Sequence, residues 1–123
     1  MNDCLFCEGV IDNKVLENQY FYAIFDQYPV NLGHLLIISK RHVLDFFSLN
    51  EIEFKYLYGI INKAKEMIDM KYKPDGYNIG VNCGETAGQT IFHFHLHIIP
   101  RYKNDIQNPR GGVRNIKKPI VDY

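Results

Sequence analysis

The chain has 123 residues, 46% hydrophobic and 23% charged, with Lys+Arg and Asp+Glu at 14 each and a formal net charge of zero. This is the length and composition of one globular domain with a real core, and it excludes a disordered chain. The charge balance gives no support to nucleic-acid backbone binding, which needs a basic surface, and leaves room for a local patch that takes an anionic small molecule. No run approaches the roughly 20 apolar residues that cross a bilayer, and Met1-Asn2-Asp3-Cys4 lacks the basic and apolar regions of a secretion signal. A cytoplasmic protein without membrane or nucleic-acid partners is therefore expected, its three cysteines thiols or metal ligands.

The first residues carry Cys4-Leu5-Phe6-Cys7. Residues 15–26 read as extended, with Tyr20 to Phe25 rich in strand formers, until Asp26-Gln27-Tyr28-Pro29 breaks the run. His34-Leu35-Leu36-Ile37-Ile38, introduced by Gly33, reads as a second strand covered on both faces. A helix follows, with a capping box in one of two registers, Ser48 with Glu51 or Asn50 with Glu53. Ile52, Tyr56, Ile60, Ala64, Met67 and Ile68 form its expected apolar stripe, to about Tyr72, and Pro74-Asp75-Gly76 turns the chain. Residues 77–82 read as a strand. The loop Gly84-Glu85-Thr86-Ala87-Gly88 then leads to a strand over Thr90–Ile99 that Pro100 closes. The tail from Arg101 is polar and irregular. Strands, one main helix and further strands predict an antiparallel sheet in an α+β domain.

Three of the five histidines stand at 93, 95 and 97. On a strand they share one face, while Phe94, Leu96 and Ile98 face the core. Three readings compete: a solvent-facing strand with chance histidines, a zinc site, and phosphorus chemistry. The third fits the residue types best. A neutral imidazole has a nitrogen lone pair that can displace a leaving group from an α-phosphate. Neighbouring imidazoles can donate to the phosphate oxygens. Gly84 and Gly88 allow close approach to an anion, and Gln89 and Thr90 add polar side chains. Cys4 and Cys7 have the spacing of half a zinc site, although such a pair alone is often incidental or redox-active. Cys83 reads as a small packing residue.

Gly88-Gln89-Thr90-Ile91-Phe92-His93-Phe94-His95-Leu96-His97-Ile98-Ile99-Pro100-Arg101 resembles the signature of the histidine triad (HIT) family, with the likeness running from about Cys4 to Tyr102. The resemblance implies an α+β fold of about five antiparallel strands, one long helix and a short one. It implies a single HIT domain, with core 4–102 and a C-terminal arm 103–123, paired into a homodimer. It implies a nucleotide substrate, with His95 as nucleophile forming a nucleotidyl-histidine, His97 on the phosphate and His34 supporting the row. By the same likeness Asp26 binds the ribose hydroxyls, Asn82, Gln89 and Thr90 surround the phosphates, and Leu5, Phe6, Ile24 and Phe25 form the base slot. For those last four, plain core packing is the competing reading. Some HIT proteins, and the similar uridylyltransferases of galactose metabolism, bind a structural zinc. By that similarity the ligands here are expected to be Cys4, Cys7, His42 and His93, and the resemblance implies a zinc-containing, bacterial-type member. The implied reaction is hydrolysis of a dinucleoside polyphosphate, a nucleoside phosphoramidate or an adenylylated lysine at the α-phosphate. A nucleotidyltransferase and a nucleotide-binding regulator with little turnover are the alternatives.

Overall fold

The computed structural model describes residues 4–7 and 12–117. Residues 1–3 and the end of the expected arm, 118–123, lie outside the described residues. One five-stranded sheet carries the fold: β1 (Leu16–Glu17), β2 (Phe21–Phe25), β3 (Leu35–Ser39), β4 (Gly76–Gly80) and β5 (His95–Arg101), in the spatial order β1-β2-β3-β5-β4. Every pairing is antiparallel. Helix α1 (Glu51–Tyr72) is the main helix, and the shorter helical pieces are single 3₁₀ turns at Phe46–Ser48, Glu85–Ala87 and Gly112–Arg114. No helix among the described residues is long and apolar enough to cross a membrane.

The extended stretch 15–26 divides into a hairpin. Asn18 makes the turn, its Oδ1 accepting from the Tyr20 and Phe21 N–H groups at 2.9 Å. The helix takes the second capping register: Asn50 Oδ1 accepts from Glu53 N–H, and Glu53 Oε1 accepts from Asn50 N–H, both at 2.9 Å. The expected stripe shifts in consequence. Ile52 is exposed, and the buried positions are Glu53, Leu57, Ile60, Ala64 and Ile68. Glu53 tolerates burial because Arg41 grips both its carboxylate oxygens, Nε to Oε2 at 3.0 Å and Nη2 to Oε1 at 2.8 Å.

Glu53→Ala removes the reciprocal cap and the two-pronged ion pair, and it is expected to cost about 2–3 kcal/mol, read as a fall in Tm on the order of 10 °C. The Arg41 bonds hold the Glu53 carboxyl below its ordinary value of 4.5. Its stabilisation is therefore full above pH 4.5 and is lost as pH falls through the depressed folded value. The gap between variant and wild-type midpoints should shrink in acid. A pH-independent gap would assign the effect to packing.

The sheet separates two apolar layers. On the helix side Phe21, Ala23, Leu35, Ile37, Leu96 and Ile98 pack with Leu57, Ile60, Ala64 and Ile68. On the other side Tyr22, Ile24, Leu36 and Ile38 gather under Phe6 from the N-terminal segment. The register sets Ile38 opposite His95 and Leu36 opposite His97, so both imidazoles emerge on this second side. Tyr22 Oη donates to the Phe6 carbonyl and ties that segment down.

Strand boundaries differ from the sequence reading: β3 begins at Leu35 rather than His34, and β4 spans Gly76–Gly80 rather than 77–82. β5 starts at His95 rather than Thr90, and it runs through Pro100 to Arg101. Pro100 is tolerated because its carbonyl faces the β3 side, where it accepts from Asn31 Nδ2 at 3.1 Å, and β3 has already ended there. Its missing N–H would point the same way, so no ladder bond is lost. Gly33 opens the turn into β3 at φ +88°, and a Cβ there would lie 2.9 Å from Tyr72 Cδ2. This close approach sets His34 at the foot of β3.

Candidate active site and metal cluster

A cavity of about 670 Å³ lies on the second side of the sheet. His95 and His97 line it, together with Leu5, Phe6, Ile24, Asp26, Asn82 and Thr90. The sequence reading missed Leu36, Ile91, Asp12, Asn13, Gln27 and Tyr28, which line it too. Leu36 was within reach, because an expected strand over 34–38 puts it on the same face as His34. Asp12, Asn13 and Ile91 arrive by tertiary folding and carry no local signal.

One expected binding residue sits elsewhere, and a second borders the cavity with its ring turned away. Gln89 is buried inside the loop, donating through Nε2 to the Leu44 carbonyl at 2.8 Å and accepting at Oε1 from Gly84 N–H at 2.9 Å. Its side chain is a strut that shapes the loop. Phe25 borders the cavity, but its ring lies on the helix side of the sheet, edge-on to Tyr72 with centroids 6.3 Å apart. The alternation that puts Ile24 toward the cavity turns Phe25 away.

The imidazoles are joined by a directional hydrogen-bond network. His34 Nδ1 accepts from Val30 N–H at 3.0 Å, which leaves the proton of the neutral ring on Nε2. That nitrogen is 3.0 Å from His97 Nδ1, so His34 donates and His97 accepts. His97 then carries its own proton on Nε2. His95 is fixed the opposite way: Nδ1–H donates to the His93 carbonyl at 2.9 Å, leaving the lone pair on Nε2 of a ring that lines the cavity. A lone pair and an N–H donor thus stand on rings with centroids 5.4 Å apart. Asp26 Oδ1 accepts from Tyr28 N–H at 2.8 Å, and its Oδ2 lies 3.5 Å from His34 Nε2.

Burial, reinforced by His95 and His34, pushes His97 down to about 4, and burial also lowers His34 against the opposing pull of Asp26. Both rings are therefore neutral at pH 7. Between pH 6.5 and about 4 the unfolded chain takes up a proton at position 97 that the folded chain refuses, so stability falls as pH drops through that window. His97→Asn should flatten this part of the acid limb in urea midpoints measured from pH 7 to pH 4. An unchanged slope would show that position 97 carries none of it.

His93 precedes the strand and faces a different partner set. Its Nε2 donates to the Ser39 carbonyl at 2.6 Å, so Nδ1 presents its lone pair. That nitrogen is 3.1 Å from Cys4 Sγ, 3.7 Å from Cys7 Sγ and 3.0 Å from His42 Nδ1, and Cys7 Sγ lies 3.2 Å from His42 Nδ1. A tetrahedral zinc with ordinary bond lengths separates two nitrogens by about 3.3 Å and a nitrogen from a sulfur by about 3.6 Å. The four donors lie within 4.8 Å of one another, near enough to converge on one ion after small shifts of a few tenths of an ångström. The group can hold a metal ion. Phe6 joins it to the cavity: its ring is edge-on to His93 at 6.2 Å and to His95 at 5.1 Å between centroids.

Fold and site together define a small α+β protein whose imidazole-lined cavity adjoins a Cys₂His₂ cluster. The HIT domain model matches residues 9–104, and the chain belongs to the HIT family. A HIT family protein from Bacillus anthracis superposes with a TM-score of 0.78 at 39% identity, over 84% of this chain and 76% of that one. A zinc-bound histidine triad family protein from Mycobacterium smegmatis superposes with a TM-score of 0.75 at 30% identity, over 84% and 78%. An AP-4-A phosphorylase from Mycobacterium tuberculosis is 33% identical over 99 residues, which are 80% of this chain and 49% of that protein.

Proposed function

We propose that this single HIT domain hydrolyses a nucleoside phosphate derivative at its α-phosphorus through a nucleotide covalently held on His95. The observation that carries this reading is the fixed pair of tautomers, with the His95 lone pair on Nε2 and the His97 proton on Nε2. In the first step His95 Nε2 bonds to phosphorus. The bond to the leaving group breaks, and its electron pair departs with that group, which takes a proton from solvent. His97 Nε2–H donates to a phosphoryl oxygen as charge shifts. In the second step water bonds to phosphorus and loses a proton to solvent, while the P–N bond breaks and returns its pair to His95. The His93 carbonyl accepts the hydrogen bond from His95 Nδ1–H throughout and supports the positive charge on the substituted ring.

Leu5, Phe6, Ile24 and Leu36 suit a nucleobase, and Asp26 suits the ribose hydroxyls. Thr90 and Asn82 stand by for the phosphate. Cys4, Cys7, His42 and His93 would hold zinc, which supplies a structural pin for residues 4–7 and no chemistry at phosphorus. β4 ends the sheet with no further strand paired to it among the described residues, which accords with a homodimer, and thiol ligands accord with a reducing cytoplasm. The AP-4-A phosphorylase among the relatives favours one second reading, a transferase in which phosphate replaces water.

The test is a panel of adenosine and guanosine phosphoramidates and dinucleoside polyphosphates, followed for release of the nucleoside monophosphate. Turnover is expected with at least one, and in phosphate buffer a nucleoside diphosphate product would select the transferase. No product from any of them would end the proposal.

A further inference from the structure

Cys4 and Cys7 flank a turn made by Leu5 and Phe6. A turn brings its first and last Cα atoms within about 7 Å, a separation that a disulfide spans. The two sulfurs lie within 4.8 Å of each other, as members of the cluster with His42 and His93. Solvent reaches this cluster. His42 is exposed, both cysteines are half-buried, and a cavity of about 330 Å³ opens on Cys4, His42 and His93, walled by Leu5, Thr90, Ile91 and Phe92. The two residues inside the turn also serve the larger cavity, which Leu5 and Phe6 line together with His95. Apart from the cluster, Phe6 is held by packing on Tyr22, Ile24, Leu36 and Ile38 and by the Tyr22 hydroxyl on its carbonyl. Leu5 is 59% exposed, so packing does little to fix its place.

We propose that Cys4 and Cys7 form a site of reversible oxidation, and that a disulfide between them ejects the metal and loosens the nucleotide cavity. The inference rests on the cluster holding zinc and on the larger cavity taking a nucleotide. The oxidant is a peroxide. One thiolate sulfur attacks a peroxide oxygen, the O–O bond breaks, and the departing hydroxide takes a proton to become water. The second thiolate attacks the resulting S–OH sulfur. The S–S bond forms, the S–O bond breaks, and a second hydroxide leaves and takes a proton. Two electrons pass from the sulfur pair to the peroxide, and zinc departs as Zn²⁺, its charge unchanged. His42 and His93 then remain, two donors where a closed structural site needs four. Residues 4–7 lose their tie to His42 and His93, and Leu5 and Phe6 are no longer pinned as cavity wall. Losing the contact of one such apolar side chain weakens nucleotide binding by about tenfold or more. The third thiol, Cys83, lies outside the cluster and serves as an internal reference.

The test treats the zinc-loaded chain with hydrogen peroxide at neutral pH and follows three readouts. These are zinc released to a chromogenic chelator, disulfides located by peptide mass, and Kd for adenosine and guanosine monophosphates. One zinc is expected per Cys4–Cys7 disulfide, with Kd rising about tenfold. Dithiothreitol with added zinc should restore both, and Cys83→Ala should respond as the wild type does. Four results overturn the inference alone: zinc retained with Cys4 and Cys7 still reduced, zinc lost with Kd unmoved, a change that dithiothreitol and zinc do not reverse, or a response that disappears in Cys83→Ala. A chain that takes up no zinc before treatment overturns the cluster reading and this one with it. A chain that binds neither nucleotide before treatment does the same to the nucleotide reading.

Discussion

His95→Ala is expected to lower single-turnover nucleotide release by about 10⁴-fold or more while leaving the fold intact. Losing a covalent nucleophile removes the two-step path, and only binding and oriented donors remain. The fold should survive because the ring's specific bond is to the His93 carbonyl, which backbone and water can replace. Nucleotide affinity should change only a few-fold, because Leu5, Phe6, Ile24 and Asp26 still line the cavity. The contrast with His97→Asn is diagnostic. That change takes away a donor to phosphorus and should cost about 10²–10³-fold. Comparable small losses at both positions would point to water as the direct nucleophile, with the imidazoles as bystanders.

Removing the metal is expected to have the second largest effect, and mainly on stability. With zinc well above its dissociation constant, chelation should withdraw about 3–5 kcal/mol and lower Tm on the order of 10–20 °C. Without the ion, burial and the neighbouring Cys7 hold the Cys4 thiol above its ordinary value, so that thiol is poorly set to stay ionised alone. Cys7→Ser should reproduce the loss, and metal analysis of the native chain should find one zinc per chain. Because Leu5 and Phe6 lie between the two cysteines and line the nucleotide cavity, affinity should weaken in step with Tm. A melting temperature indifferent to chelation, in a chain that binds no metal, would refute the cluster's role.

The placement of His95 and His97 was legible because a strand alternates. The spacing 93-95-97 announced a shared face, and Leu96 and Ile98 are buried opposite it as the alternation requires. The local rule stopped holding at His93, where the chain leaves the ladder so that the ring can bridge Ser39 and the cluster donors. Cys4, Cys7, His42 and His93 come from three separate stretches, and only the resemblance to the HIT family gathered them in advance. Helix α1 was placed almost to the residue by its caps, but its buried face was misread at Ile52, because the Arg41 partner that lets Glu53 go inside is ten residues upstream of the helix. Phe25, carried over from the likeness as a base-slot residue, lines the cavity, but the alternation that faces Ile24 inward turns its ring to the helix side.

The central claim is a covalent bond between His95 and phosphorus. The most direct measurement is to mix enzyme and nucleotide substrate, quench in alkali, where a P–N bond to histidine persists, and sequence the peptide containing residues 93–97 by mass spectrometry. The account predicts one nucleoside monophosphate increment, on His95 and absent from His95→Ala. Turnover without any such increment, or the increment on His93 or His97, would contradict it.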